Sequence, residues 1–182
     1  MKRETIRYIV DAVEKANPQR TVTNLNRRTH KMLEELGETS EAYLNATSMN
    51  NLKKKSWKDV QEEAIDALIV AIDIALTNLT VGIDAKAGLL HLAEHVGLKE
   101  KDYDLIIRNI VKDLGAFMTN YDTDTKIATT DGIYLVKDSF VLVVHVFSNA
   151  VDLDAEIISE IDRKLAKWMT SRNKVTEIDP EG

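Results

Sequence analysis

The stretch "WKDVQEEAIDALIVAIDIAL", residues 57–76, constrains the fold of this 182-residue chain more than any other feature. On an α-helix, where successive residues are about 100° apart, its acidic side chains fall within an arc of roughly 100°. These side chains are Asp59, Glu62, Glu63, Asp66 and Asp73. Every other residue from 64 to 76 is Ala, Ile, Leu or Val. A helix that is apolar on its other sides must be covered by neighbouring elements. The pattern therefore predicts a largely buried helix with a narrow acidic strip.

The acidic strip lacks the basic partners that usually neutralise such a surface. No Lys or Arg lies between Lys58 and the end of this helix. Several carboxylates confined in one strip repel one another and are costly to desolvate. Mg²⁺ binds hard oxygen ligands of this kind and would relieve both costs. The strip therefore indicates a divalent-cation site, with a solvated acidic surface as the alternative.

A second acidic segment, "HKMLEELGETSEAYL" at residues 30–44, has the matching spacing. Glu35 and Glu38 are i, i+3 neighbours, about 60° apart around a helix axis, so both can reach one ion. Glu63 and Asp66 repeat this spacing on the apolar helix. Two antiparallel helices joined by a short loop can bring such pairs together in a bundle core.

The rest of the chain is predicted to be mainly helical, because apolar residues recur at helical spacing and the chain has only seven Gly and two Pro. One stretch differs: residues 125–147 are rich in β-branched and aromatic residues, with "DG" and "KDS" as turn candidates. We expect an antiparallel β hairpin there. The predicted helices cover residues 4–15, about 24–45, 57–79, 85–96, about 100–118 and 152–170. Ser56 is the predicted N-cap of the third of these helices.

This order of elements predicts two parts. Residues 1–120 form a helical domain with a four- or five-helix bundle. Residues 121–182 form a C-terminal appendage, in which the small hairpin and a final helix pack on the bundle.

Composition excludes several classes of function. A net charge of −6 argues against a general nucleic-acid binder, which needs a basic surface. The absence of cysteine removes disulfides and thiolate metal sites, and it suits a reducing cytoplasm. The longest apolar stretch, residues 67–76, is interrupted by Asp73 and is too short to span a bilayer. We therefore expect a cytoplasmic protein that binds neither nucleic acid nor a membrane.

The two acidic segments together resemble the MazG-like all-α nucleoside triphosphate pyrophosphohydrolases. The signature of that family is E-x-x-E, a spacer, then E-x-x-D, and the likeness covers roughly residues 20–120. The resemblance implies a MazG-like helical bundle that forms a homodimer or homotetramer and uses Mg²⁺ or Mn²⁺. It also implies cleavage of a ribo- or deoxynucleoside triphosphate between the α and β phosphates, giving a monophosphate and pyrophosphate.

The resemblance also assigns roles to single residues. Glu35, Glu38, Glu63 and Asp66 correspond to the metal ligands. Glu34 corresponds to an acidic residue that positions or deprotonates the attacking water, so Glu34, Glu35 and Glu38 form the predicted catalytic set.

The resemblance to the family is less complete for the residues that would contact the substrate. Asp73 is expected to support the ligands or contact the nucleoside. In the stretch "VKDLGAFMTNYD", Lys112 is present, but Ala116 and Phe117 replace a Lys-Asn pair that the family uses on phosphates. Further candidates near the acidic segments are His30, Lys31, Lys54 and Trp57. A structural role remains open for each of these four: a surface or partly buried histidine for His30, an exposed charge for Lys31, a solvated loop for Lys54, and packing for Trp57.

Two other functions remain open at this stage. One is a phosphoribosyl-ATP pyrophosphohydrolase, which uses related helices and cleaves the same bond. The other is a non-catalytic helical interaction module, whose carboxylates hold a structural ion or none.

Overall fold

The computed structural model describes residues 1–17, 25–49, 51–78, 87, 88, 91, 102–121 and 124–178. Six helices have bounds within these residues, and no β-strand occurs among them. The helices are α1 (Arg3–Ala16), α2 (Leu25–Thr47), α3 (Trp57–Asn78), α4 (Tyr103–Asn120), α5 (Thr125–Val146) and α6 (Leu153–Ile178). The prediction of a mainly α fold is confirmed. The helix predicted over 85–96 lies mostly outside the described residues, and 87, 88 and 91 are helical.

Helix α3 occupies the centre of the structure. It packs against α2 and α5, and also against α1 and α6. All of its apolar side chains from Ala64 to Leu76 are buried. The central position follows from the sequence, because a helix that is apolar on most sides can exclude water only when neighbours surround it.

The predicted β hairpin over residues 125–147 is wrong, because these residues form the single helix α5. This helix packs against α3 on one side and α4 on the other. Its buried side chains include Leu135, Phe140, Val143 and Val146. A helix that is covered on both sides is apolar almost all round, so it has the same continuous apolar run as a buried strand. β-branched content did not separate the two structures, because tertiary packing overrides this weak preference.

Both turn candidates in this stretch lie inside the helix. Gly132 lies where α5 comes close to its neighbours: a methyl group there would be 3.6 Å from the Phe117 ring and 3.7 Å from Cα of Ala75. Ser139 donates its hydroxyl to the Leu135 carbonyl at 2.8 Å, a bond within the helix. The glycine therefore marks a close helix contact, and the serine makes no turn.

Helix α3 begins with the predicted cap. The Ser56 hydroxyl accepts a hydrogen bond from the Asp59 amide at 3.3 Å, and the Ser56 amide donates to the Asp59 carboxylate at 2.6 Å. This reciprocal pair is a capping box with Asp in the third helical position.

The final helix was predicted to pack on the bundle, and α6 packs against α1 and α3, with Ile157, Ile161 and Leu165 buried. It continues to Ile178, beyond the predicted end at residue 170. The division into domains at residue 120 stays a prediction. Across the described part of the chain, no helix is both long enough and apolar enough to cross a lipid bilayer.

Candidate metal centre

The register between the antiparallel helices α2 and α3 positions the acidic residues. Arg28 on α2 pairs with Asp73 on α3, with 2.6 Å between Nε and Oδ2. Seven residues further along α2, and seven back along α3, each helix presents nearly the same side again. This step brings Glu35 opposite Asp66. The ion pair at one end of the interface and the acidic residues in its middle are therefore set by one register.

Three carboxylates meet at this point. One oxygen from each of Glu35, Glu63 and Asp66 lies within 4.8 Å of the others, a grouping that can hold a metal ion. Glu35 is 5% exposed, and the other two are half-buried. Glu38, the fourth predicted ligand, is exposed and contributes no atom to this triad. Its charge is nevertheless close enough to raise the pKa of Glu35 and Glu63.

Burial raises the pKa of all three triad carboxyls above its ordinary value. For Glu35 the ammonium of Lys31 opposes this effect, and for Glu63 and Asp66 Lys164 opposes it. The pKa stays raised in each case, so the local positive charge does not fully compensate for burial. A divalent cation would supply the missing charge, and a donor set made only of carboxylate oxygens suits Mg²⁺ or Mn²⁺. The residues therefore fit the ion that the resemblance implies.

Lys31 is the nearest cation from α2. Its ammonium lies 2.7 Å from a Glu35 oxygen and 2.9 Å from a Glu34 oxygen. Burial lowers the pKa of Lys31, but its hydrogen bonds to Glu35 and Glu34 together outweigh that effect and raise it. Lys31 was predicted to contact substrate, and the structure places it beside the triad.

Two cationic side chains from α6 also lie beside the acidic residues of α3, and neither was predicted from the sequence. Lys164 forms an ion pair with Asp66 and lies 4.0 Å from Glu62, while Arg163 lies 2.9 Å from Glu62. A signal for Lys164 was available in the sequence. It lies on the same side of α6 as the buried Ile157 and Ile161, where a lysine indicates a buried anionic partner.

The loop between the acidic helices contributes a different lysine from the predicted one. Lys54 is exposed and has a backbone φ of 52°, in the left-handed region. The Asn51 side chain bonds both the amide and the carbonyl of Lys55, at 2.9 and 2.5 Å, and holds the loop in this turn. As a result the Lys55 ammonium lies 3.9 Å from a Glu63 oxygen.

Two of the other predicted residues have structural partners. Trp57 donates its indole N–H to the Val146 carbonyl at 2.8 Å, so it closes the end of α5. The centroid of its ring also lies 5.9 Å from the centroid of the Tyr43 ring. Asp73 is buried and accepts hydrogen bonds from Arg28 and from Asn17. Their predicted substrate contacts stay predictions.

The last two predicted residues lie at the surface. His30 is exposed on α2, about one turn before Glu34. Lys112 is exposed on α4, with its ammonium 3.8 Å from an Asp113 oxygen. Neither belongs to the described ion pairs around the triad.

Fold and site together define a mainly α-helical protein with a carboxylate triad between two antiparallel helices and cations from three segments around it. No protein-family model matches the chain, and no curated protein and no solved structure matches it. The likeness to the MazG-like enzymes therefore rests on the residues themselves.

Proposed function

We propose that this protein is a Mg²⁺-dependent nucleoside triphosphate pyrophosphohydrolase. It would convert a ribo- or deoxynucleoside triphosphate to the monophosphate and pyrophosphate. The observation that carries the proposal is the triad of Glu35, Glu63 and Asp66, whose oxygens lie within 4.8 Å of one another in a setting where burial raises the pKa of each. Such a set of oxygens is suited to divalent ions that accompany phosphate substrates.

The chemistry requires no covalent intermediate. A water oxygen attacks the α phosphorus, the bond from that phosphorus to the α–β bridging oxygen breaks, and its electron pair leaves with pyrophosphate. The attacking water loses a proton, for which Glu34 and Glu38 are the acceptors in this proposal. Both carry carboxylates next to the triad without belonging to it. A divalent ion bound to such a triad supplies charge neutralisation on the phosphates and makes water more nucleophilic near neutral pH.

Binding of the phosphate chain requires cations outside the triad. Lys31, Lys55 and Lys164 already lie within ion-pair distance of the triad carboxylates. In this proposal they take the phosphate role, for which the sequence offered Lys31, Lys54 and Lys112. A lysine ammonium is a compact point charge that suits phosphate oxygens.

The direct test is product analysis with each nucleoside triphosphate in the presence of Mg²⁺. Monophosphate and pyrophosphate are the expected products, and Glu63→Gln should lower turnover by at least about a hundredfold, because it removes a ligand charge with little change in volume. Glu41→Gln is the matched control, since Glu41 lies on α2 outside the triad and pairs with Lys53. Diphosphate and phosphate as products would contradict the assigned bond, and a fully active Glu63→Gln would contradict the assigned site.

One observation favours a second candidate, the non-catalytic helical module. The ion pairs of Lys31 and Lys164 already link the triad to cations from α2 and α6. A cluster of this kind can hold three helices together without having any catalytic role. Absence of nucleotide hydrolysis, together with no effect of divalent ions on the melting temperature, would select this candidate.

A further inference from the structure

We propose that Lys31 and Lys164 are exchangeable counter-cations of the triad. They occupy its oxygens in the free protein and transfer to the phosphates when a divalent ion and a polyphosphate bind. The ion and the polyphosphate then bind cooperatively, and the free protein binds the ion alone weakly. This inference rests on the proposed function and concerns how that site is regulated.

Two of the three triad carboxylates already pair closely with an ammonium group. The Lys31 ammonium lies 2.7 Å from Oε1 of Glu35, and Lys164 bonds Oδ2 of Asp66. A divalent ion at the triad would place a second cation within a few ångströms of each ammonium, where like charges repel strongly in a partly buried site. Entry of the ion is therefore favoured only when both ammonium groups move away from these carboxylates.

The displaced ammonium groups need another anionic partner. The Lys164 side chain is only 11% exposed, so its ammonium cannot simply turn out into water. A buried ammonium without an anion is costly. Glu62, at 4.0 Å, already accepts from Arg163 at 2.9 Å and offers Lys164 little compensation. Phosphate oxygens entering with the ion offer a new anionic partner, so the ligand that best permits the exchange brings cation and anion together.

The positions of the two lysines determine which kind of anion is favoured. Lys31 comes from α2 and Lys164 from α6, and they neutralise different carboxylates. Two displaced ammonium groups are compensated best by a ligand with more than one phosphate. The exchange therefore favours a metal complex of a di- or triphosphate over that of a monophosphate. Each ligand lowers the cost of binding the other, which is positive coupling.

The test is a metal titration without turnover. Free Mn²⁺ is followed by electron paramagnetic resonance during titration of the wild type, Lys164→Met, Lys164→Arg and Lys15→Met. Lys15 is an exposed lysine near the end of α1 and serves as the charge-matched control. We expect Lys164→Met to bind Mn²⁺ at least about fivefold more tightly than the wild type, the lower end of coupling between two ligands of one site. The same variant should bind the Mn²⁺ complex of inorganic tripolyphosphate more weakly, while Lys164→Arg and Lys15→Met follow the wild type in both titrations.

A residue that only holds α6 in place would give the opposite sign, because its loss would disorder the site and weaken Mn²⁺ binding. Equal or weaker Mn²⁺ binding by a folded Lys164→Met would therefore overturn the proposed exchange of lysines. In that case, nucleotide hydrolysis by the wild type would show that the proposed function stands although the exchange does not occur. If neither the wild type nor Lys164→Met bound Mn²⁺, both the proposed exchange and the proposed function would be overturned. If Lys164→Met does not fold, Lys31→Met, whose lysine is 41% exposed, is read by the same criteria.

Discussion

At the scale of single residues, Asp73 illustrates how this bundle accommodates a buried carboxylate. It is 2% exposed, and both of its oxygens accept hydrogen bonds, from Asn17 at 2.8 and 3.1 Å and from Arg28 at 2.6 Å. The sequence grouped Asp73 with the acidic strip of α3. The structure separates it from the triad by its partners: Asp73 pairs with the guanidinium of Arg28, whereas Asp66, two turns earlier, pairs with a lysine. An arginine fork holds a carboxylate in fixed geometry, and a lysine is a more easily displaced point charge.

Arg28→Met should lower the free energy of unfolding by about 3 kcal/mol, since it leaves a buried carboxylate without its cation. Chemical denaturation at neutral pH measures the change. The double variant Arg28→Met/Asp73→Asn should be more stable than the single variant, because the uncompensated charge is gone. An Arg28→Met protein as stable as the wild type would show that this pair contributes nothing to the fold.

At the scale of elements, α5 is the helix whose character the sequence obscured. Its composition is that of a strand, yet it lies between α3 and α4 and is buried by both. The cross-helix hydrogen bond from Asn120 to Asp131, at 2.9 Å, fixes the α4–α5 register. Seven residues away in each helix, Asp113 and Asp138 face one another in the same register. These are contacts between residues far apart in the chain, and local preference does not encode them.

The helical state of this segment has a direct test at Gly132. A methyl group there would meet only ordinary contacts, at 3.6 Å or more, and alanine is the better helix former. Gly132→Ala should therefore raise the free energy of unfolding by about 0.5–1 kcal/mol, as measured by urea denaturation.

The matched control is Gly115→Ala on α4, where a methyl group has no neighbour within 4 Å and only helix preference acts. The two substitutions should have the same sign. A glycine in a two-residue hairpin turn would respond differently, and its replacement by alanine would lower the free energy of unfolding by more than about 1 kcal/mol. Such a result would contradict the helical conformation of residues 125–146.

At the scale of the whole molecule, several carboxyl groups have a raised pKa because the bundle buries them. Burial and the nearby Asp138 raise the pKa of Asp113 to about 6, against the opposing charges of Lys112 and Lys137. The pKa values of Glu35, Glu63 and Asp66 are raised as well. A carboxyl whose pKa is higher in the folded state binds its proton more tightly there. It therefore contributes stability that is fully present below its unfolded pKa and is lost as pH rises through its folded pKa.

Asp113→Asn isolates one of these groups. Relative to the wild type, the variant should gain about 1–3 kcal/mol of unfolding free energy between pH 4.5 and pH 7.5, because it no longer has to ionise beside Asp138. Denaturation of both proteins at the two pH values gives this difference. Asp138→Asn should give a smaller gain, because burial, the larger cause of the raised pKa of Asp113, remains, and the double variant should add little to Asp113→Asn. A difference that does not change with pH would contradict the raised pKa of Asp113.

The sequence alone determined what depends on local spacing. Helical periodicity placed the ends of α1, α2 and α3 within a few residues, and the Ser56 cap was readable from its own neighbours. The i, i+3 spacings of Glu35–Glu38 and Glu63–Asp66 put each pair on one side of its helix, since the geometry of a single helix fixes them.

Only the tertiary structure decided the rest, because it depends on contacts between distant parts of the chain. Burial from both sides made residues 125–146 a helix, although their composition favours strands. The α2–α3 register selected Glu35, Glu63 and Asp66 for the triad and left Glu38 beside it. Packing of α6 against α3 brought Lys164 to Asp66, across 98 positions of sequence. Spacing within one helix defines a set of candidate ligands, but which of them meet, and which cations neutralise them, is fixed only when the helices pack.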